Sequence, residues 1–173
     1  MAAGATYEPI ATTTLGSAQA TITFSSISGS YTDLVLISNL GTADSNTYIK
    51  VTVGNGSADT ATNYSYTELY GGNGTGSQRQ SNKAFIGTPW AYGTEGSNVI
   101  STDAIFNFMN YSNTTTFKSI LLRTNTRGTA NPGVSQEVAL WRSTSAINII
   151  KLDLSSGNFS TGSTFTLYGI TAA

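Results

Sequence analysis

Nine carboxylates carry most of the acid–base capacity of this sequence, because it contains no histidine and no cysteine. They are Glu8, Asp33, Asp44, Asp59, Glu68, Glu95, Asp103, Glu137 and Asp153, and they are spread singly. Glycoside hydrolysis needs two carboxyl groups facing one another across a sugar. The spacing here suggests no such pair, although a fold could still bring two together. Ser-His-Asp and Cys-His triads cannot be built, and neither can disulfides or metal sites with histidine or thiolate ligands. Residues 71–76 look superficially like a phosphate loop. They lack the Gly-Lys-Ser/Thr ending and a following helix, so a flexible surface loop is the better reading. Asp44-Ser45-Asn46 lacks the distal Glu of a calcium loop and reads as an Asx turn. No catalytic residue, metal or cofactor is expected.

The remaining candidates are aromatic. Tyr70 borders the Gly-rich stretch, and Trp90 and Tyr92 fall in Gly87–Gly93, which reads as a loop. Aromatic faces on a loop suit recognition of a sugar or a partner. For Trp90, capping the end of the core is the favoured reading and recognition the alternative. Trp141 is expected inside, with Arg142 tying down the turn at Ser143–Ser145.

These residues need elements to position them, and the chain supplies strands. In Ile147–Leu154, Ile150, Leu152 and Leu154 share one face while Lys151 and Asp153 point the other way, the period of a half-buried strand. Thr164–Ile170 alternates in the same manner. Leu34 to Ile37 are consecutive and apolar, which suits a central strand. About ten strands and no amphipathic helix are legible. The expected fold is all-β, an antiparallel β-sandwich of jelly-roll type. Residues 1–9 read as an N-terminal arm, with Ala2, Ala3, Tyr7 and Glu8 as candidate docking residues, and residues 10–173 as one sandwich domain. The low-complexity run Gly71–Asn82 is expected to be a mobile loop.

Composition narrows the function classes. Only 10% of the 173 residues are charged, against about 25% in an average soluble domain. With a formal net charge of −1 there is no basic field to neutralise phosphates, so nucleic acid is not an expected partner. No run of apolar residues is long enough for a transmembrane helix, so no membrane partner is expected. The opening MAAGATYEPI has no basic n-region or apolar stretch, and synthesis without a signal peptide is expected.

Several segments together resemble a family of structural proteins from tailed phages of aquatic bacteria. They are Tyr7–Gly16, Ile22–Leu34, Asn63–Gly71, Phe106–Ser119 and, most strongly, LWRSTSAINIIKLDLSSGNFSTGSTFTLYGI (Leu140–Ile170). The resemblance spans nearly the whole chain. It implies a non-enzymatic β-sandwich displayed on the virion, either a head decoration (cement) protein or the distal domain of a tail fibre. No shaft-like repeat accompanies the domain, which favours decoration. The implied partners are the major capsid protein and further copies of the chain in a homotrimer. Under the fibre-tip alternative, the partner is a host-surface carbohydrate met through Tyr70, Trp90 and Tyr92.

Overall fold

Alternation of buried and exposed side chains runs through most strands of the computed structural model, which describes residues 6–42, 44, 47–72, 74–91, 102–127 and 133–171. Thirteen strands follow in chain order among the described residues. They are β1 (Tyr7–Thr14), β2 (Thr21–Phe24), β3 (Asp33–Leu40), β4 (Thr47–Asn55), β5 (Ser57–Ala58), β6 (Tyr64–Gly71) and β7 (Thr75–Lys83). The remainder are β8 (Ile86–Ala91), β9 (Thr102–Phe108), β10 (Lys118–Thr126), β11 (Gly133–Trp141), β12 (Ile149–Leu154) and β13 (Thr164–Ile170). All their pairings are antiparallel.

Two sheets face each other. The larger has eight strands in the order β1-β13-β3-β9-β10-β11-β6-β7, and the smaller has five counting β8, which pairs with β4 beside the run β2-β12-β4-β5. The protein is therefore an all-β, jelly-roll-like sandwich. Strands feed the core every second residue: Leu34, Leu36, Phe106, Phe108, Ile120 and Leu122 come from the larger sheet, and Ile22, Phe24, Ile49, Val51, Ile150 and Leu152 from the smaller. The C-terminal strand is internal, with β1 on one side and β3 on the other.

A polar junction joins the layers at one end. The buried Tyr64 side chain of β6 reaches β4, where its hydroxyl accepts from the Val53 N–H at 3.1 Å. The same oxygen lies 2.9 Å from the carbonyls of Val53 and Asp59. Burial pushes the Tyr64 phenol well above its ordinary range. Asp59 accepts from Trp141 Nε1 at 2.7 Å, Asn63 Nδ2 at 2.8 Å and the Ala61 N–H at 2.9 Å. Burial alone would raise the Asp59 carboxyl, but these three donors hold it below its usual value.

Three expectations change. Most of Gly71–Asn82 is not a loop: Thr75–Lys83 is β7, whose backbone pairs with β6 from Gly71 to Tyr64. A polar, low-complexity run can serve as an edge strand because pairing uses the main chain, not side-chain burial. Most of Gly87–Gly93 is likewise strand, since Ile86–Ala91 pairs with β4. Arg142 leaves the Ser143–Ser145 turn and donates to Thr62 O at 2.6 Å and Asn82 Oδ1 at 3.2 Å, so it ties β7 to the loop before β6. Trp141 is buried as expected.

Both margins of the large sheet carry blunting features. Pro9 sits in β1 beside a register shift, and β7 has the sequence TGSQRQSNK.

Phe106→Ala, at a fully buried position, is expected to cost about 3–5 kcal/mol in denaturant unfolding. Asp59→Ala should cost about 1–3 kcal/mol by leaving the Trp141 N–H without its acceptor. Because the folded state depresses the Asp59 pKa, that contribution is present above the ordinary carboxylate range and is lost as the pH falls through the depressed value. The gap between wild type and Asp59→Ala in acid unfolding curves should therefore close towards low pH.

Candidate binding face

The outward side of the eight-stranded sheet is where side chains converge without cover. Hydrogen-bonded register places Leu69, Gln136, Arg123, Ile105, Ile37 and Thr166 in one transverse row. Thr67, Val138, Leu121, Asn107, Val35 and Tyr168 form the next row. Leu69 and Val134 are each 61% exposed and Val138 is 52% exposed. These are large apolar side chains on rigid strands, and adjoining ones of this kind mark interaction surfaces.

Two shallow depressions lie on this face. One, of about 320 Å³, is lined by Leu69, Tyr70, Gly71, Arg123, Val134 and Gln136 among others. The second, of about 230 Å³, is lined by Ser65, Thr67, Arg79, Ser119, Val138 and Leu140 among others. Arg123 lines the first, whose surface is mostly apolar, and Arg79 lines the second, where polar and apolar surface are nearly equal. Neither Arg79 nor Arg123 is in an ion pair among the described residues, where the two ion pairs are Arg127–Asp103 and Lys151–Asp153.

A polar ladder crosses the same face at the far end of the strands. Asp103 on β9 accepts from Asn39 of β3 and, at 3.0 Å, from Asn125 of β10. Arg127 adds a contact of 3.4 Å to the same carboxylate.

The inward side of β6 and β11 holds the pair of acids that spacing alone did not reveal. Glu68 and Glu137 are directly opposite in register, and both are buried, at 0% and 1% exposure. Burial raises the Glu68 carboxyl, against a hydrogen bond from Gln78 that lowers it. Burial, and then the charge of Glu68, push Glu137 up to about 9. Two carboxyls this close could in principle serve as acid and base. Enclosed between the sheets, they have no surface that a sugar ring could meet.

The residues singled out from sequence scatter. Tyr70 lies near the end of β6, half-buried, with its ring directly over Gly76 of β7: a Cβ on that glycine would fall 2.6 Å from the Tyr70 hydroxyl. Its place is structural packing as well as the rim of the larger depression. Trp90 falls within strand β8, not in a loop, and its side chain lies outside the described residues, as does the whole of Tyr92. Tyr7 and Glu8 open β1, paired with Ile170 and Gly169, and both are exposed, with the Tyr7 ring edge-on to Tyr168. Ala2 and Ala3 lie outside the described residues. Sequence reasoning missed Leu69, Val134, Val138, Arg79 and Arg123. The available signal was in β11, where a strand of alternating type has valines on one face and Ser135 and Glu137 on the other.

No protein-family model matches the sequence, and no curated protein matches it. Among solved structures, the chain is similar to a toad ovary galectin in complex with thio-digalactose, at 9% identity and a TM-score of 0.40, covering 85% of this chain and 98% of that one. The Caenorhabditis elegans galectin LEC-6 gives 8% identity and a TM-score of 0.37, covering 90% and 94%. A homodimeric agglutinin from chicken liver, CG-16, gives 8% and 0.36, covering 84% and 98%.

Val138→Lys and Leu69→Lys are expected to change unfolding free energy by no more than about 0.5 kcal/mol, as exposed positions do. A loss of several kcal/mol in urea titration would mean that these side chains are part of a core.

Proposed function

We propose that this chain is a non-enzymatic structural protein of a tailed-phage particle, a decoration protein that binds the assembled head and stabilises it. The observation that carries the reading is the exposed aliphatic group Leu69, Val134 and Val138 on the outward face of the larger sheet. Shallow, open depressions suit a protein surface better than an enclosed small molecule. The unpaired guanidiniums of Arg79 and Arg123 call for carboxylates on the opposing surface. The partners in this reading are the major capsid protein and other copies of the chain, arranged as a homotrimer. The stabilisation is mass action: a protein that binds only the assembled shell shifts the equilibrium towards that shell. The chain acts in the virion and uses no cofactor.

A second reading has its own support. The Asn39–Asp103–Asn125 ladder sets amide and carboxylate groups across three strands of one face, and such groups can exchange hydrogen bonds with sugar hydroxyls. In that reading the chain is a tail-fibre or receptor-binding module for host-surface carbohydrate, with Tyr70, Trp90 and Tyr92 as further contacts.

Immunogold labelling of intact particles from the source culture, with copy number from quantified gels, separates the two. Decoration predicts dense label over the head, and Val138→Lys protein should rebind stripped heads at least tenfold more weakly than wild type. Label confined to the tail, with glycan binding lost in Asp103→Ala, would establish the second reading. Particles that carry none of the chain would overturn both.

A further inference from the structure

Two carboxyl groups facing one another in a protein interior need a cation, a set of donors or a proton. Among the described residues Glu68 and Glu137 have one donor between them: Gln78 Nε2, which donates to Glu68 Oε2 at 2.6 Å. The other three oxygens, Glu68 Oε1 and both of Glu137, are buried without a hydrogen-bond partner. No cation reaches them among the described residues. Lys118, on β10, donates to the carbonyls of Thr116 and Thr144, and Lys50, on β4, sits over the Phe85 ring. Arg79 and Lys83 on β7 make no ion pair with either acid. The titratable neighbours are phenols: Tyr66, two residues before Glu68 on β6, and Tyr48 of β4. The Tyr66 phenol is itself driven to about 12, by burial and then by the charges of Glu137, Tyr48 and Glu68. β10 faces Glu137 with Leu122. β8, which crosses β6, β10 and β11, has no ionisable residue in its sequence IGTPWA.

We infer that Glu68 and Glu137 share a single proton and act as a proton-dependent latch that holds β6 to β11 from inside the sandwich. Glu68, with its amide donor, is the acceptor, and Glu137 is the protonated member. A hydroxyl on Glu137 directed at Glu68 Oε1 gives a partner to two of the three orphaned oxygens. Loss of that proton leaves two like charges opposed on adjacent strands, with burial and repulsion acting together. The strands they would drive apart, β6 and β11, carry Leu69, Val134 and Val138 on their other side, so the latch also sets how firmly that face is held. The inference does not depend on what the face binds.

The sign follows from linkage. The folded state retains a proton that the unfolded chain gives up in the ordinary carboxylate range, so the pair's contribution to stability is greatest below that range. It declines as the pH rises and levels off above about 9. The test is urea unfolding of the full chain from pH 4 to 10, as wild type, Glu137→Gln and Glu68→Gln, beside infrared spectra of the folded proteins at pH 7. Glutamine keeps the neutral donor, so the folding constant of wild type relative to Glu137→Gln should fall about tenfold per pH unit across that window. Wild type should show a protonated-carboxyl band at pH 7 that Glu137→Gln lacks. Glu68→Gln removes the neighbouring charge and should end the decline at a lower pH. Should Glu137→Gln fail to fold, the infrared band of wild type and its loss on titration towards pH 10 decide the matter. Parallel slopes, or no such band in wild type, would overturn the latch. So would a rise in the wild-type midpoint with calcium chloride at pH 7 that the variant lacks, since a cation would then occupy the pair.

Discussion

The buried hydroxyl of Tyr64 ties the two sheets together from inside. It enters from β6 in the larger sheet and meets the main chain of β4 in the smaller, at Val53 N, with the carbonyls of Val53 and Asp59 also within reach. A buried phenol without such partners would oppose folding. With them, it fixes how far β6 slides along β4. Asp59 then extends the constraint: one carboxylate gathers the indole of Trp141, the amide of Asn63 and a main-chain N–H. Apolar packing supplies most of the driving force, yet apolar surfaces tolerate sliding. The Tyr64–Asp59–Trp141 cluster selects one alignment out of many.

That alignment sets the identity of the two faces of β6 and β11. On β11, the inward row is Ser135, Glu137, Ala139 and Trp141, while Val134, Val138 and Leu140 lie outward. A slip of one residue would bury the valines and expose the glutamate. Trp141 and Tyr64, held at one end of the strand pair, prevent that slip. The strand pair thus keeps two acids inside and Leu69, Val134 and Val138 outside, against the simplest expectation from hydrophobicity. Such a reversal is sustained at the expense of stability and is typical of positions shaped by something other than the core.

Legibility in the sequence follows the same division. β3, β10, β12 and β13 alternate cleanly, or are apolar throughout, and their number pointed to a two-sheet sandwich. Trp141 could be placed in the core because a large indole has few other destinations. β7 was hidden, since TGSQRQSNK has no apolar period and earns its place only through main-chain pairing with β6. β8 was hidden by Gly87 and Pro89, residues that usually punctuate loops. The outward face of the large sheet was the least legible part. Leu69, Val134 and Val138 look like core residues until the register of three strands shows their direction, and the opposition of Glu68 and Glu137 depends on a pairing across 69 positions of chain that no local spacing encodes.

The margins of the eight-stranded sheet bear on how many such molecules can be packed side by side. An open row of main-chain donors and acceptors invites another strand, and one sheet can then template the next without limit. Here Pro9 removes a donor from one margin beside a register shift, while the opposite margin, β7, is polar throughout and carries Arg79 and Lys83. Such margins disfavour edge-to-edge growth, which leaves the sheet faces, where side chains impose geometry, as surfaces for finite association. A protein with this arrangement can be concentrated densely on a surface and still remain a set of separate, countable units that do not fuse into a fibre.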